Sequence, residues 1–336
     1  MSNFLNPSAD LALTMDIGGT KMRASLISRE GKVVRVESVR TAPREGIEPA
    51  QERLLATMRS VLGDEQVAGV ALASAGPMYP DSGAYNHPPS LHTWHGKSMK
   101  PYLERELGAT IHFGHDATLA AYGEQHYGRQ RGADPLLYLT VSTGVGGGLV
   151  AKGRMVTGAT GLAGEFGHTI VYPDGERNCG IRCRGCLEGL CSGTSIAHLA
   201  QRRYVNADPG TALLTEVDND LEIINSEMVF RHAAAGDPIA ARIVSEAQAA
   251  LGIAIASWIN SLDLAAVVVG GGVAQSLRSA WPIVLERVSE YALPHFVEGG
   301  ELPIHITELG DEISMLGAAA HVFKIASDPG HDRKAP

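Results

Sequence analysis

Residues 11–28 read LALTMDIGGTKMRASLIS, and this stretch sets the architecture. Leu11 to Met15 is a short apolar run ending in Asp16. Gly18-Gly19-Thr20-Lys21 then turns the chain, and Met22 to Ile27 alternates as a second strand. Val33 to Val39 extends the pair into an antiparallel meander. The same outline returns at residues 136–153, LLYLTVSTGVGGGLVAKG: apolar strand, Gly/Thr turn, second strand. The outline repeats although the residues do not, which implies a duplicated domain with a phosphate-type turn in each half. Val67 to Ala73, Ile111 to Phe113, Ala265 to Val269 and Leu302 to Ile306 read as further strands. Pro49 to Leu62, Ser98 to Leu107, Asp116 to about Tyr127, 193–205, 226–259 and Ile313 to Ile325 read as helices. Strands alternating with helices make an α/β protein, and no Pro/Gly/Ser linker parts the halves, so they are expected to face each other across a cleft.

Composition narrows the class. The chain has 336 residues, 44% hydrophobic and 19% charged, enough for a large core and too apolar for disorder. The formal charge of −9 opposes non-specific nucleic-acid binding. No uninterrupted apolar run reaches the roughly 18 residues of a membrane span. The start, MSNFLNPSAD, has neither a basic nor an apolar signal region, so a cytoplasmic protein without a membrane partner is expected. Cys179, Cys183, Cys186 and Cys191 are the only cysteines and fall within 13 consecutive residues, which argues for metal before disulfides in such a compartment.

Three glycine turns follow apolar strands. At Asp16–Lys21, Gly18 and Gly19 carry no Cβ and can take positive φ, so backbone N–H groups can converge on an anion. Thr20 adds a hydroxyl, Lys21 a charge, and Asp16 a carboxylate able to hold a metal-bound water. Ser142-Thr143-Gly144-Val145-Gly146-Gly147-Gly148 has the same chemistry. Gly270-Gly271-Gly272 lies between a buried strand and a helix, where α/β sheets bind nucleotides. Each turn alone is a weak signal, the first two also readable as tight hairpins, and none has P-loop or dinucleotide spacing. Asp116, in HDATLAAYGE (115–124), stands at a strand-to-helix junction where it serves either as a base or as a helix cap.

Taken together, these three turns resemble the actin-like ATPase (ribonuclease H-like) fold, and more narrowly the ROK family of sugar kinases, from about residue 11 to 325. The resemblance implies two duplicated α/β domains around a cleft. These are an N-terminal domain (1–115) completed by the C-terminal helix 313–325, a larger domain (116–312) carrying a zinc loop, and a flexible tail (327–336). It implies that Asp16, Gly18, Gly19, Thr20, Lys21, Thr143, Gly144 and Gly146 clasp the phosphates of ATP, and that Gly271 and Gly272 lie beside the adenosine. The HDATLAAYGE segment is similar to the family's N-D-A-N-x-A-A-x-G-E, with His115 and Thr118 replacing the asparagines, and Asp116 takes over the role of catalytic base. GLAGEFGH (161–168) matches G-x-A-G-E-x-G-H, which assigns Glu165 and His168 to sugar hydroxyls.

The zinc loop departs from the family. CGIRCRGCLE (179–188) stands where C-x-C-G-x-x-G-C-x-E is usual, with Ile181 at the second cysteine when Cys186 is aligned. Cys183 supplies the missing thiolate, so Cys179, Cys183, Cys186 and His168 would form a structural Cys3His zinc site presenting Glu188 to the sugar. A metal-free loop of reduced cysteines is the alternative, and Cys191 reads as a buried helix residue. Ser90 lies in SLHTW (90–94) where the family has a sugar-binding Asn; Asn86 is four residues earlier, and His87, His92 and His95 crowd the same loop.

The resemblance implies ATP-dependent phosphorylation of a carbohydrate hydroxyl, the 6-hydroxyl of a hexose in the glucokinase-like case. ATP with Mg2+, a structural Zn2+, a sugar substrate and a homodimer accompany it. The altered His115, Thr118 and Ser90 motivate an alternative substrate, an amino sugar or cyclitol. A sugar-binding sensor without catalysis is a second alternative. A ROK-type regulator is a third, for which the ten residues before the first strand leave little room for a helix-turn-helix domain.

Overall fold

Strands β1 (Leu11–Ile17), β2 (Lys21–Ser28) and β3 (Val33–Arg40) form an antiparallel meander in the computed structural model, which describes residues 4–79, 81–181, 183–278, 281–298 and 304–328. Strands β4 (Val70–Ser74), β5 (Met78–Tyr79), β6 (Ala84–Tyr85) and β7 (Ile111–His115) follow. The main sheet has the order β3-β2-β1-β4-β7, with β4 parallel to β1 and β7 parallel to β4. Strands β8 (Leu136–Val141), β9 (Val145–Ala151), β10 (Arg154–Met155), β11 (Ala266–Gly270) and β12 (Ile304–Ile306) make a second sheet, β10-β9-β8-β11-β12. Each sheet opens with a hairpin-linked pair and recruits parallel strands afterwards, the repetition expected from the sequence.

The chain divides into two units: Met1–Ala133, Gly148–Gly164 and Glu308–Pro336 form one, and Asp134–Gly147 with Glu165–Thr307 the other. The division differs from segments 1–115 and 116–312, because the helix Asp116–Tyr127 packs with the C-terminal helix Ile313–Ser327 in the first unit. Of the tail expected to be flexible, residues 329–336 lie outside the described residues.

In the first unit, β1 is buried on both faces and its alternation sorts the two layers. Leu13, Met15 and Ile17 meet Leu54, Met58 and Val61 of the helix Ile47–Leu62. The opposite face carries small residues, Ala12, Ala71 and Ala73, against Met315, Ala318 and Val322 of the C-terminal helix. Buried hydroxyls there are paired: Thr14 Oγ1 and Ser25 Oγ lie 2.7 Å apart. In the second unit the helix Pro238–Leu262 is capped by Asp237, whose carboxylate accepts from the N–H groups of Ile239 and Ala240. That helix is long and apolar enough to cross a membrane by length and composition, yet Ile243, Leu251, Ile255 and Ile259 on it are buried core. The stretch expected to be helix-rich over 226–259 holds Ser226–Ala234 and this core helix, parted at Gly236.

Two helices of the first unit meet through glycine. A Cβ on Gly123 would come within 2.7 Å of the Ile313 carbonyl oxygen, and one on Gly317 would be driven into the Leu119 carbonyl. Gly317→Ala therefore overpacks a backbone-to-backbone contact and is expected to cost about 1–3 kcal/mol. Urea unfolding monitored by circular dichroism checks this, and an unchanged midpoint would contradict it.

Candidate active site

The first turn belongs to a hairpin whose register sets Arg23 directly across from Asp16. The Arg23 guanidinium contacts Asp16 Oδ2 at 2.8 Å and also donates to the Asp311 carbonyl at 2.7 Å. Burial pushes the Asp16 carboxyl above its ordinary range, and the charge and hydrogen bond of Arg23 oppose that rise. Ser314 Oγ reaches Asp16 Oδ1 at 3.3 Å. Gly18 N–H donates to the Lys21 carbonyl at 3.0 Å, and Thr41 Oγ1 donates to the Gly18 carbonyl at 2.7 Å. Neither Gly18 nor Gly19 uses positive φ, contrary to expectation. What excludes a side chain at Gly19 is Ser90, whose Cβ would lie 2.7 Å away. Thr20 and Lys21 are exposed at the tip.

Ser90 is thereby set against the first phosphate-type turn. It rides on the short 3-10 segment Pro89–Trp94, anchored by the buried Leu91 and Trp94. Asn86 is half-buried, its N–H bonded to the Pro77 carbonyl at 2.9 Å. His87 and His95 stack at 3.7 Å between ring centroids, and His95 Nδ1 accepts from the His87 N–H at 3.1 Å, which commits that nitrogen.

Asp116 opens the helix Asp116–Tyr127, directly after β7. His115 occupies the cap position and makes no side-chain cap. Asp116 Oδ1 accepts from the Ala117 N–H at 2.7 Å, leaving the side chain 37% exposed and Oδ2 able to take a proton. Cap and base are therefore compatible roles. His115 Nε2 lies 3.5 Å from Asp116 Oδ1. A Cβ on Gly148 would collide with the Ala117 carbonyl and lie 2.5 Å from Thr118 Cα, so β9 presses directly on the start of this helix. Thr118 is buried.

In the second unit the turn is shorter than the glycine run suggested: Ser142–Gly144 bend, with Ser142 N–H donating to the Gly144 carbonyl at 2.9 Å, and Gly146 already lies within β9. Gly271, at φ 94°, sits where a Cβ would strike the Val141 carbonyl, and Gly272 starts the next helix facing open space. These turns border a cleft of about 670 Å3 lined by Thr143, Thr194, His198, Asn225, Phe230 and Gly272, among others. Sequence reading missed the floor of this cleft, the N-terminus of the helix Gly193–Tyr204. Its Gly193 N–H bonds the Ser142 carbonyl at 2.7 Å.

The cysteine loop closes as anticipated despite its shifted spacing. Cys179 and Cys183 Sγ are 2.8 Å apart, Cys183 and Cys186 Sγ 2.9 Å, and His168 Nδ1 is 3.6 Å from Cys183 Sγ. All four ligand atoms lie within 4.8 Å of one another. Three thiols and an imidazole are the donor set of a closed structural zinc site. Burial and the neighbouring sulfurs push the Cys183 thiol up; a dication at this point reverses that cost by taking the thiolates. Gly185, at φ 62°, lets its carbonyl accept from Val171 and Tyr172 at 2.9 and 3.0 Å. Asn178, also unforeseen, donates to the Gly189 and Ser195 carbonyls at 2.8 and 2.9 Å. Ile181 is exposed and Cys191 fully buried.

His168 turns its other nitrogen away from the sulfurs, with Nε2 3.7 Å from Glu165 Oε2. Glu188 is not simply free: its Oε2 accepts from the Val145 N–H at 2.8 Å.

The ROK family model matches residues 12–325. The glucokinase of Thermotoga maritima is 30% identical over 307 residues, 91% of this chain and 95% of that protein. The N-acetylmannosamine kinase of Citrobacter koseri is 33% identical over 261 residues, 78% of this chain and 83% of that protein. A ROK family glucokinase from Streptomyces griseus, solved with glucose and AMPPNP, superposes with a TM-score of 0.71 at 29% identity, covering 92% of this chain and 98% of that one. The chain belongs to the ROK family, and its fold is the actin-like ATPase fold.

The metal centre carries its own prediction. The purified protein should hold about one zinc per chain, and Cys183→Ala should lose it, read by elemental analysis after dialysis. Full zinc in that variant would remove Cys183 from the ligand set.

Proposed function

We propose that this chain transfers the γ-phosphoryl group of ATP to the primary 6-hydroxyl of a hexose. Its class, an ATP-dependent sugar kinase, follows from family membership and from kinase relatives spanning most of the chain. The observation that carries the finer reading is Asp116, a half-exposed carboxylate at a strand-to-helix junction with one oxygen fixed by the Ala117 N–H and the other uncommitted. That oxygen accepts the sugar proton as the hydroxyl oxygen attacks phosphorus and the bond to ADP breaks. Thr20, Lys21, Thr143, Gly144 and Gly146 are assigned to phosphate oxygens, and Gly271 and Gly272 to the adenosine. Glu165, His168, Glu188, Asn86 and Ser90 are assigned to sugar hydroxyls. Magnesium carried with ATP offsets phosphate charge, and Asp16 is the carboxylate held at that turn, its ionised form favoured by Arg23. The zinc ion braces the loop bearing His168 and Glu188 and takes no part in the transfer.

Ser90 favours a second acceptor class. A hydroxyl in place of an amide is shorter and leaves fewer donors, which suits an N-acetylated or amino sugar or a cyclitol. We further read the protein as a cytoplasmic homodimer, the dimer by analogy with the family alone; a reading without nucleic-acid or membrane partners is supported by its net charge of −9 and the burial of the apolar helix Pro238–Leu262.

ADP release with Mg-ATP across hexoses, N-acetylhexosamines, amino sugars and cyclitols tests this reading. Sugar-dependent turnover is expected, and Asp116→Asn should lower kcat by about 10²–10⁴-fold. Sugar binding without turnover on any acceptor would replace the kinase by a sensor.

A further inference from the structure

We propose that Glu188 is a positioning residue for the nucleotide-phosphate turn as well as a sugar contact, so that one side chain links the two substrates. The inference rests on the reading above that Ser142–Gly146 receives ATP phosphates. Glu188 Oε2 accepts from the N–H of Val145, the residue that leaves the turn, at 2.8 Å. The same oxygen would lie 2.8 Å from a Cβ on Gly144, so the carboxylate fills the space that any side chain there would need. The backbone just beyond Glu188 holds the rest of the turn: Gly193 N–H donates to the Ser142 carbonyl at 2.7 Å and Thr194 N–H to the Thr143 carbonyl at 3.3 Å. Residues 142, 143 and 145 are therefore all fixed by the segment 188–194, which begins two residues after the Cys186 thiol.

The chemistry supports two simultaneous duties. A carboxylate has two oxygens and about four acceptor sites, and a charge-assisted bond to a backbone amide is among the stronger hydrogen bonds. With Oε2 holding the turn, Oε1 remains for a sugar hydroxyl. Any movement of the carboxylate on sugar binding is felt at Val145, and by linkage nucleotide binding is felt at the sugar.

The test is nucleotide binding with no sugar present. AMPPNP affinity is measured by calorimetry for the wild type, Glu188→Ala, Glu188→Gln and Gly144→Ala, with zinc content and circular dichroism confirming folded protein. Glu188→Ala should weaken AMPPNP by about tenfold, the equivalent of one charge-assisted hydrogen bond. Glu188→Gln keeps an oxygen acceptor and should recover most of the loss. Gly144→Ala, which displaces the carboxylate without removing it, should weaken binding in the wild-type background and add little to Glu188→Ala. It also carries the test if Glu188→Ala fails to fold. Variants that bind AMPPNP as the wild type does, with only the sugar KM raised, would overturn the proposal and leave Glu188 a sugar contact alone. A wild type that binds no AMPPNP would instead remove the nucleotide reading itself, and this proposal with it.

Discussion

Asp116 is held in place by two contacts that only glycine permits. The helix it opens is crossed near its middle by the C-terminal helix, backbone against backbone, at Gly123 and Gly317. Its first turn is pressed by β9 at Gly148. No flexible side chain intervenes at either contact, so the position of the helix is set by main-chain atoms, which are the least compliant parts of a packed core. The small residues opposite, Ala12, Ala71 and Ala73, extend the same close approach to the sheet. A segment nearly 200 residues away in sequence thus fixes the residue proposed as the base. Its approach also braces the first glycine turn, since the Asp311 carbonyl and Ser314 hydroxyl both bear on the Asp16–Arg23 pair.

The second unit solves a comparable problem with a short polar segment. Its turn at Ser142–Gly144 is gripped by Glu188, Gly193 and Thr194, while the strand side is kept clear by Gly147 against Phe166 and Gly271 against Val141. Phe166 in turn lies edge-on to Trp258 of the core helix, 5.2 Å between ring centroids. The Cys3His cluster stands at the origin of this brace. His168 and Cys186 are separated by 18 positions in sequence, and joining them through a metal would convert a long loop into a fixed platform without a large apolar core of its own.

Much of this was legible in the sequence. Strand–turn–strand repeats gave the duplicated layout, and the Gly/Thr turns fall where the sequence placed them, at the ends of β1 and β8. The cysteine loop was harder: its spacing departs from the family, yet Cys183 closes the cluster because only the positions of sulfur atoms in space matter to a tetrahedral site. Arg23 was overlooked although a signal existed. A hairpin turning at Gly18–Lys21 pairs Ile17 with Met22 and so Asp16 with Arg23, and register alone names the partner. The cleft floor at Gly193 and Thr194, and the anchoring by Asn178, were not legible, because nothing in a linear sequence says which distant backbone amide a carbonyl will meet. The expectation of positive φ at Gly18 and Gly19 failed for a related reason. Glycine was needed there for the absence of a Cβ next to Ser90, a tertiary contact, and not for its own backbone freedom.

In the proposed reading, Ser90 and Gly19 bear on substrate choice. A Cβ on Gly19 would lie 2.7 Å from Ser90 Cβ, so the segment bearing Ser90 packs directly on this turn and position 19 has no room for a side chain. An asparagine in place of Ser90 would carry two more heavy atoms into that corner or project them forward toward the proposed sugar site. On the same reading, the short hydroxyl leaves that volume to the acceptor, and a substituent such as an acetamido group would fill it. Specificity would then be a matter of vacated space plus one hydroxyl. Such a site discriminates by excluding poorly fitting sugars less than by failing to satisfy their polar groups.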